Sequence, residues 1–195
     1  MLVLASASPR RQQLLRGAAI PFTAQPSEID ETPLAGESAR VCAERLAQQK
    51  ASAVAQSRPT DYVLGADTIV VVDGEILNKP QDVNDAARML RLLSGRTHEV
   101  ITGVCVVRPI ATVQPSIPHE LCKRASETTR VMMCEISDAE IRDYIATGEP
   151  MDKAGAYAIQ GIASRWIPRI EGDYSNVVGL PIALVFRILR EMGAV

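Results

Sequence analysis

An α/β fold is predicted by two features of the chain. Short runs rich in Val, Ile and Leu alternate with longer segments of helical periodicity. Helix-start signals recur between those runs, each with Ser or Asp at the cap position. The chain's 195 residues, 47% hydrophobic and 23% charged, suffice for one domain with its own core. They argue against a mainly disordered protein, and a single domain over residues 1–195 is expected.

The elements follow in order. Residues 2–5 read as a buried strand. Ser8 caps a helix that has Pro9 at its first position and stops at Gly17. Residues 22–25 form a second strand, and a turn-rich stretch carrying Glu28, Asp30 and Glu31 follows. The longest helix spans residues 37–56, with Ala43, Leu46, Ala47 and Val54 on one face and Lys50 on or beside it. Residues 62–72 form a β-branched strand broken at Gly65-Ala66-Asp67, and Asp73-Gly74 turns it back into residues 75–77. Asp82 caps a helix ending at Ser94-Gly95, and residues 97–107 form a strand. Residues 109–126, with three prolines, read as a loop or an extended hairpin tip. A strand over 127–136 leads to the capping box Ser137-Asp138-Ala139-Glu140, whose helix ends near Gly148. A non-periodic stretch runs to Gly161, residues 165–170 are strand-like, and Pro181 opens the last helix.

Composition narrows the function. Aromatic residues are only 4% and the net charge is −2, which disfavours a nucleic-acid surface. No apolar run reaches the roughly 20 residues a membrane helix needs. Residues 1–5 are too short for a signal peptide, and Arg10 and Arg11 follow that run where a signal would precede it with charge, so a cytoplasmic protein is expected. Cys42, Cys105, Cys122 and Cys134 are widely spaced and read as small core residues. Only His98 and His119 are available for a histidine-based metal site or triad, so acid–base capacity rests mainly on carboxylates and lysines.

Four constellations could carry chemistry. Ser6-Ala7-Ser8-Pro9-Arg10-Arg11 sits at a strand-to-helix junction, where unpaired backbone N–H groups and two arginines would suit an anion; a capped helix with solvated arginines is the alternative. Asp67 lies between Leu64 and the run Ile69-Val70-Val71-Val72. A carboxylate there must be paired, metal-bound or functional, or else bond backbone amides at a strand end. Lys79, in Asn78-Lys79-Pro80, could bring a cation near it or stay solvated. The stretch from Asp152-Lys153 to Gln160-Gly161 combines small residues with Asp, Lys, Tyr and Gln, as a ligand-binding loop or any loop would. Glu28, Asp30 and Glu31 read as solvated carboxylates, although one beside Asp67 would make a hard-cation site. On residue types alone the chain suits a phosphorylated ligand with Mg²⁺, and hydrolysis and simple binding both stay open.

These motifs together resemble the Maf family. The residues that carry the resemblance are Ala5-Ser6-Ala7-Ser8-Pro9-Arg10-Arg11, Gly65-Ala66-Asp67-Thr68, Lys79-Pro80, Leu93-Ser94-Gly95, Thr102-Gly103-Val104, Gly148-Glu149-Pro150, Asp152-Lys153-Ala154-Gly155-Ala156-Tyr157, Gln160-Gly161 and Val177-Val178-Gly179-Leu180-Pro181. They cover nearly the whole chain. The resemblance implies one α/β domain with a strongly twisted mixed sheet and a central cleft, of the Maf/ITPase-like type. It implies a nucleoside triphosphate pyrophosphatase that needs a divalent metal, Mg²⁺ or Mn²⁺, and forms a homodimer. Asp67 matches the general-base position, and Arg10, Thr68 and Gln160 match positions linked to substrate selection. Ser8, Arg11, Glu31, Lys50 and Lys79 match polar positions lining the cleft. Asp67 and Glu31 are the expected metal ligands, and Lys153 joins the arginines as a phosphate-attracting cation. The sequence over 152–161 is similar to the branch acting on dTTP and UTP, with the 7-methyl-GTP branch as the alternative. A nucleotide-binding regulator of septum formation without turnover is the non-enzymatic alternative. The stretch over 109–126 is longer than the family's usual hairpin.

Overall fold

The computed structural model describes residues 1–109 and 122–195. Among the described residues, seven strands form a mixed sheet flanked by helices: β1 (Leu2–Leu4), β2 (Thr23–Ala24), β3 (Tyr62–Val72), β4 (Glu75–Leu77), β5 (Thr97–Val107), β6 (Cys122–Met132) and β7 (Arg169–Glu171). Their order is β2-β1-β3-β5-β6-β7, with β4 paired to β3. Strand β1 runs parallel to both β2 and β3, whereas β4 on β3 and β7 on β6 are antiparallel. The helices are α1 (Pro9–Gly17), α2 (Ala39–Ala55), α3 (Val83–Leu93), α4 (Asp138–Ala146), α5 (Tyr174–Val178) and α6 (Ile182–Met192). Among the described residues no helix is long and apolar enough to cross a membrane.

The chain divides into two compact units, one of residues 1–67, 102–127 and 179–195, the other of residues 68–101 and 128–178. In the first, α2 lies unusually close to the sheet. A Cβ on Gly65 of β3 would overlap the Ala47 carbonyl oxygen, and one on Gly103 of β5 would overlap the Ala43 backbone. Residues 42, 43, 46, 47, 50, 51 and 54 of α2 are therefore buried as one face. On this approach rests the position of Lys50. A second apolar group, Leu4, Leu15, Leu64, Val104, Val185 and Leu189 among it, packs α1 and α6 in the same unit.

In the second unit, Leu90 and Leu93 of α3, Ile141 and Tyr144 of α4, and Trp166 share one core. Tyr144 meets Trp166 edge to face, with ring centroids 5.3 Å apart. Helix α4 starts with the expected capping box: Ser137 Oγ accepts from Glu140 N–H, and the Glu140 carboxylate accepts from Ser137 N–H.

Several local expectations need correction. Strand β3 is continuous through Gly65-Ala66-Asp67, because Gly65 serves the approach of α2 and does not turn the chain. Strand β6 begins at Cys122, before Glu127; Lys123 and Arg124 are exposed and Cys122, Ala125 and Ser126 only half-buried, so this start lacks a strand's apolar alternation. Residues 110–121 of the expected loop, with His119, lie outside the described residues. Residues 162–166 form a 3-10 turn ahead of the short β7. Cys42 and Cys105 are core residues, but Cys122 is half-buried and Cys134 is exposed.

Candidate active site

The first unit holds Ser6, Ser8, Arg10, Arg11, Glu28, Asp30, Glu31, Lys50 and Asp67. Strand β1 delivers the chain to Ser6, and Ser8 caps α1 by accepting from Arg11 N–H at 3.5 Å. Ser6 Oγ in turn accepts from Ser8 N–H at 3.1 Å and from Arg11 Nη1 at 3.4 Å. Arg11 is buried, and its Nε donates to the Gly179 carbonyl at 2.8 Å. Part of this arginine therefore anchors α1 to the chain ahead of α6. Burial pulls the Arg11 guanidinium below its usual pKa, opposed by the attraction of Asp67; Arg10 pushes the same way as burial, and Glu31 the same way as Asp67.

Asp67, on β3, is 8% exposed and Lys50, on α2, is 7% exposed. Lys50 Nζ lies 2.6 Å from Asp67 Oδ1 and 2.6 Å from Glu31 Oε1. One ammonium thus holds two carboxylates. A buried charge needs such a partner, because an unpaired one would cost several kcal/mol. Glu31 reaches in from the stretch before α2 with its own side chain 44% exposed. The other acids of that stretch do different work: Asp30 Oδ1 accepts from Thr32 N–H and Oγ1, which draws its carboxyl below the usual range, and Glu28 is exposed. Three cations, Arg10, Arg11 and Lys50, stand against two carboxylates here, although the whole chain is net acidic.

Among the described residues no three His, Cys, Asp or Glu side chains cluster as a metal cage. Asp67 and Glu31 do offer two hard oxygen donors converging on one cationic point. Carboxylate oxygens are the donor type that suits Mg²⁺ or Mn²⁺, so these two residues would hold such an ion.

The second unit holds the other predicted residues. Thr68 follows Asp67 on β3 and is half-buried. Lys79 is exposed, and the neighbouring Asn78 carbonyl accepts from Gly155 N–H at 3.2 Å, which docks the loop after Lys153 on that segment. Lys153 is engaged locally, by Asp152 and by the Glu149 carbonyl at 3.0 Å. Gln160 is exposed, whereas Ala156, Tyr157, Ala158 and Ile159 just before it are buried. Tyr157 OH and His98 Nε2 are 2.8 Å apart, so His98 is a core residue that fixes this loop. Burial lowers the His98 pKa to about 4.

Residues not singled out as site candidates also shape this region. The Glu149 carboxylate accepts from Tyr144 OH at 2.8 Å and from Ile162 N–H at 3.1 and 3.2 Å, and Tyr144 OH accepts from Ala158 N–H at 3.3 Å. The sequence signal for this was only the motif Gly148-Glu149-Pro150. Nothing in its spacing points to Ile162.

The profile of the family described as Maf-like protein matches residues 1–192, and the chain belongs to that family. It is 57% identical over 192 residues to the dTTP/UTP pyrophosphatase of Koribacter versatilis, covering 98% of this chain and 94% of that protein. It is 50% identical over 190 residues to the dTTP/UTP pyrophosphatase of Syntrophomonas wolfei, with 97% and 96% covered. The fold also resembles the structure of the Staphylococcus aureus Ham1 protein, with a TM-score of 0.53 over 98% of each chain and 14% identity.

Proposed function

We propose that this protein is a nucleoside triphosphate pyrophosphatase that hydrolyses dTTP and UTP to the monophosphate and pyrophosphate. The observation that carries the proposal is Lys50 holding both Asp67 and Glu31 at 2.6 Å, in the unit that also contains Arg10 and Arg11. The identity to relatives named for that activity supports the substrate class.

Asp67 is the general base of this reading. Lys50 pairs with Oδ1 at 2.6 Å, and the Asp67 carboxylate takes a proton from water. The water oxygen forms a bond to the α-phosphorus, the bond from that phosphorus to the αβ-bridging oxygen breaks, and pyrophosphate leaves with the electron pair. Asp67 then returns the proton to solvent. A divalent metal held by Asp67 and Glu31 would supply charge neutralisation on the phosphate oxygens. Arg10, Arg11, Lys79 and Lys153 supply further positive field, and Ser8 with the α1 N-terminus offers hydrogen bonds to phosphate.

Selection must come from groups that read the base, because all nucleoside triphosphates share the phosphates. Gln160 has an amide that donates and accepts together, matching the alternating C=O and N–H edge of uracil or thymine. Cytosine reverses that pattern, so an amide held in one orientation would be left unmatched. Arg10 and Thr68 are the other selection residues of this reading. The protein acts as a cytoplasmic homodimer in the same reading. A pyrophosphate-release assay over canonical triphosphates with Mg²⁺ tests the proposal. Release from dTTP and UTP well above dCTP, CTP and purine nucleotides is expected. Binding without release would favour a regulator, and preference for 7-methyl-GTP would favour the other branch.

A further inference from the structure

Gln160 stands on an exposed loop, yet a selective amide must present one orientation to the base. The backbone on both sides of it is tied to two side chains of the same unit. Two residues before it, Ala158 N–H donates to Tyr144 OH at 3.3 Å. Two residues after it, Ile162 N–H donates to both Glu149 oxygens, at 3.1 and 3.2 Å. The two anchors are joined, because Tyr144 OH donates to Glu149 Oε1 at 2.8 Å. Gly161 completes the arrangement: a Cβ there would overlap the Glu149 carboxylate. The Tyr144 ring is 1% exposed and packs against Trp166, so the hydroxyl has a rigid base.

We infer that Glu149, acting with Tyr144, is a positioning residue for base selection. It clamps the chain on either side of Gln160 and sets the direction of its amide. The inference rests on the proposal that Gln160 reads the pyrimidine edge. Glu149 has no part in the attack on phosphorus, so its loss is expected to appear in selectivity and in KM before kcat.

The test is a two-by-two set of the wild type, Glu149→Ala, Gln160→Ala and the double variant, with kcat and KM measured for dTTP and dCTP. Glu149→Ala is expected to lower the ratio of kcat/KM for dTTP over dCTP about tenfold, the scale on which a misplaced binding group acts, mainly by raising KM for dTTP. Glu149→Gln keeps an acceptor for Ile162 N–H and is expected to recover most of the ratio. In the Gln160→Ala background, Glu149→Ala is expected to change the ratio no further. Hydrogen exchange at the amides of Ala158 and Ile162 is expected to quicken in Glu149→Ala. If Gln160→Ala lowers the ratio while Glu149→Ala leaves it alone, the clamp is overturned and base reading by Gln160 survives. Equal losses for both nucleotides in Glu149→Ala, or a further drop in the Gln160→Ala background, also overturn it. If Gln160→Ala itself leaves the ratio unchanged, base reading by Gln160 fails and the clamp's role in selection goes with it.

Discussion

Lys50 and Gln160 illustrate two ways of holding a polar group still. Lys50 is buried on a seventeen-residue helix and is fixed by charge, between Asp67 and Glu31. Gln160 is exposed on a loop, and what is fixed there is the backbone around it, by neutral or half-neutral hydrogen bonds to Tyr144, Glu149 and, through Tyr157, His98. The first arrangement suits the region proposed for chemistry, where developing charge must meet groups that do not reorganise. The second suits selection, since a loop tolerates sequence change while its anchors keep it in place.

The largest effect is expected from Asp67→Asn. The swap keeps size and removes the basic charge, so kcat should fall by roughly 10²–10⁴, the usual scale for a general base. Lys50 keeps Glu31 as partner, so the fold should survive, as circular dichroism would check. Near-normal turnover at saturating Mg²⁺ would mean that another group activates water.

Gly65→Ala attacks the scaffold under the same pair. The added methyl meets backbone of α2, which cannot rotate away, so unfolding free energy should drop by about 3 kcal/mol, the upper range for overpacking. Urea denaturation measures it. A loss below about 0.5 kcal/mol, typical of surface changes, would show that α2 is free to shift and that Lys50 is not held by close packing.

For the second region, Gln160→Ala should lower kcat/KM for dTTP and UTP by about 1–3 kcal/mol, the cost of leaving polar groups unmatched. Stability should not change, because the side chain is exposed. Equal losses for dTTP and dCTP would mean that Gln160 supports the loop without reading the base.

The least direct effect concerns pH. His98 has its pKa lowered from 6.5 to about 4 by burial, so the unfolded chain binds more protons between those values. Its contribution is complete above about pH 6.5 and is lost as pH falls toward about 4. Stability should therefore decline by about 2 kcal/mol between about pH 7 and pH 5, and His98→Gln should flatten that slope in urea titrations. An unchanged slope would show that other groups govern acid sensitivity.

Much of the framework was legible because it is written locally. Ser8-Pro9 placed α1, the Ser137–Glu140 box placed α4, and Asp73-Gly74 placed the β3–β4 turn. The resemblance places Asp67, Glu31 and Lys50 among the functional positions, but the convergence of the two carboxylates on one ammonium depends on contacts 17 and 19 residues apart in the chain. Gly65 misled for the same reason. A glycine in a strand signals a break from sequence alone, and only the presence of α2 shows that it permits close packing. The start of β6 is hidden because Lys123 and Arg124 are exposed and interrupt any apolar alternation. The five-residue α5 carried no periodicity to detect. The Glu149–Ile162 contact spans thirteen residues and pairs a side chain with backbone, so no residue pattern could announce it.

The claim on which the rest depends is that water, activated beside Asp67, attacks the α-phosphorus. Hydrolysis of dTTP in ¹⁸O-labelled water tests it directly, with both products read by mass spectrometry. The account predicts one ¹⁸O atom in the thymidine monophosphate and none in the pyrophosphate. Label in the pyrophosphate would place the attack on the β-phosphorus, and release of orthophosphate with thymidine diphosphate would contradict the proposed reaction altogether.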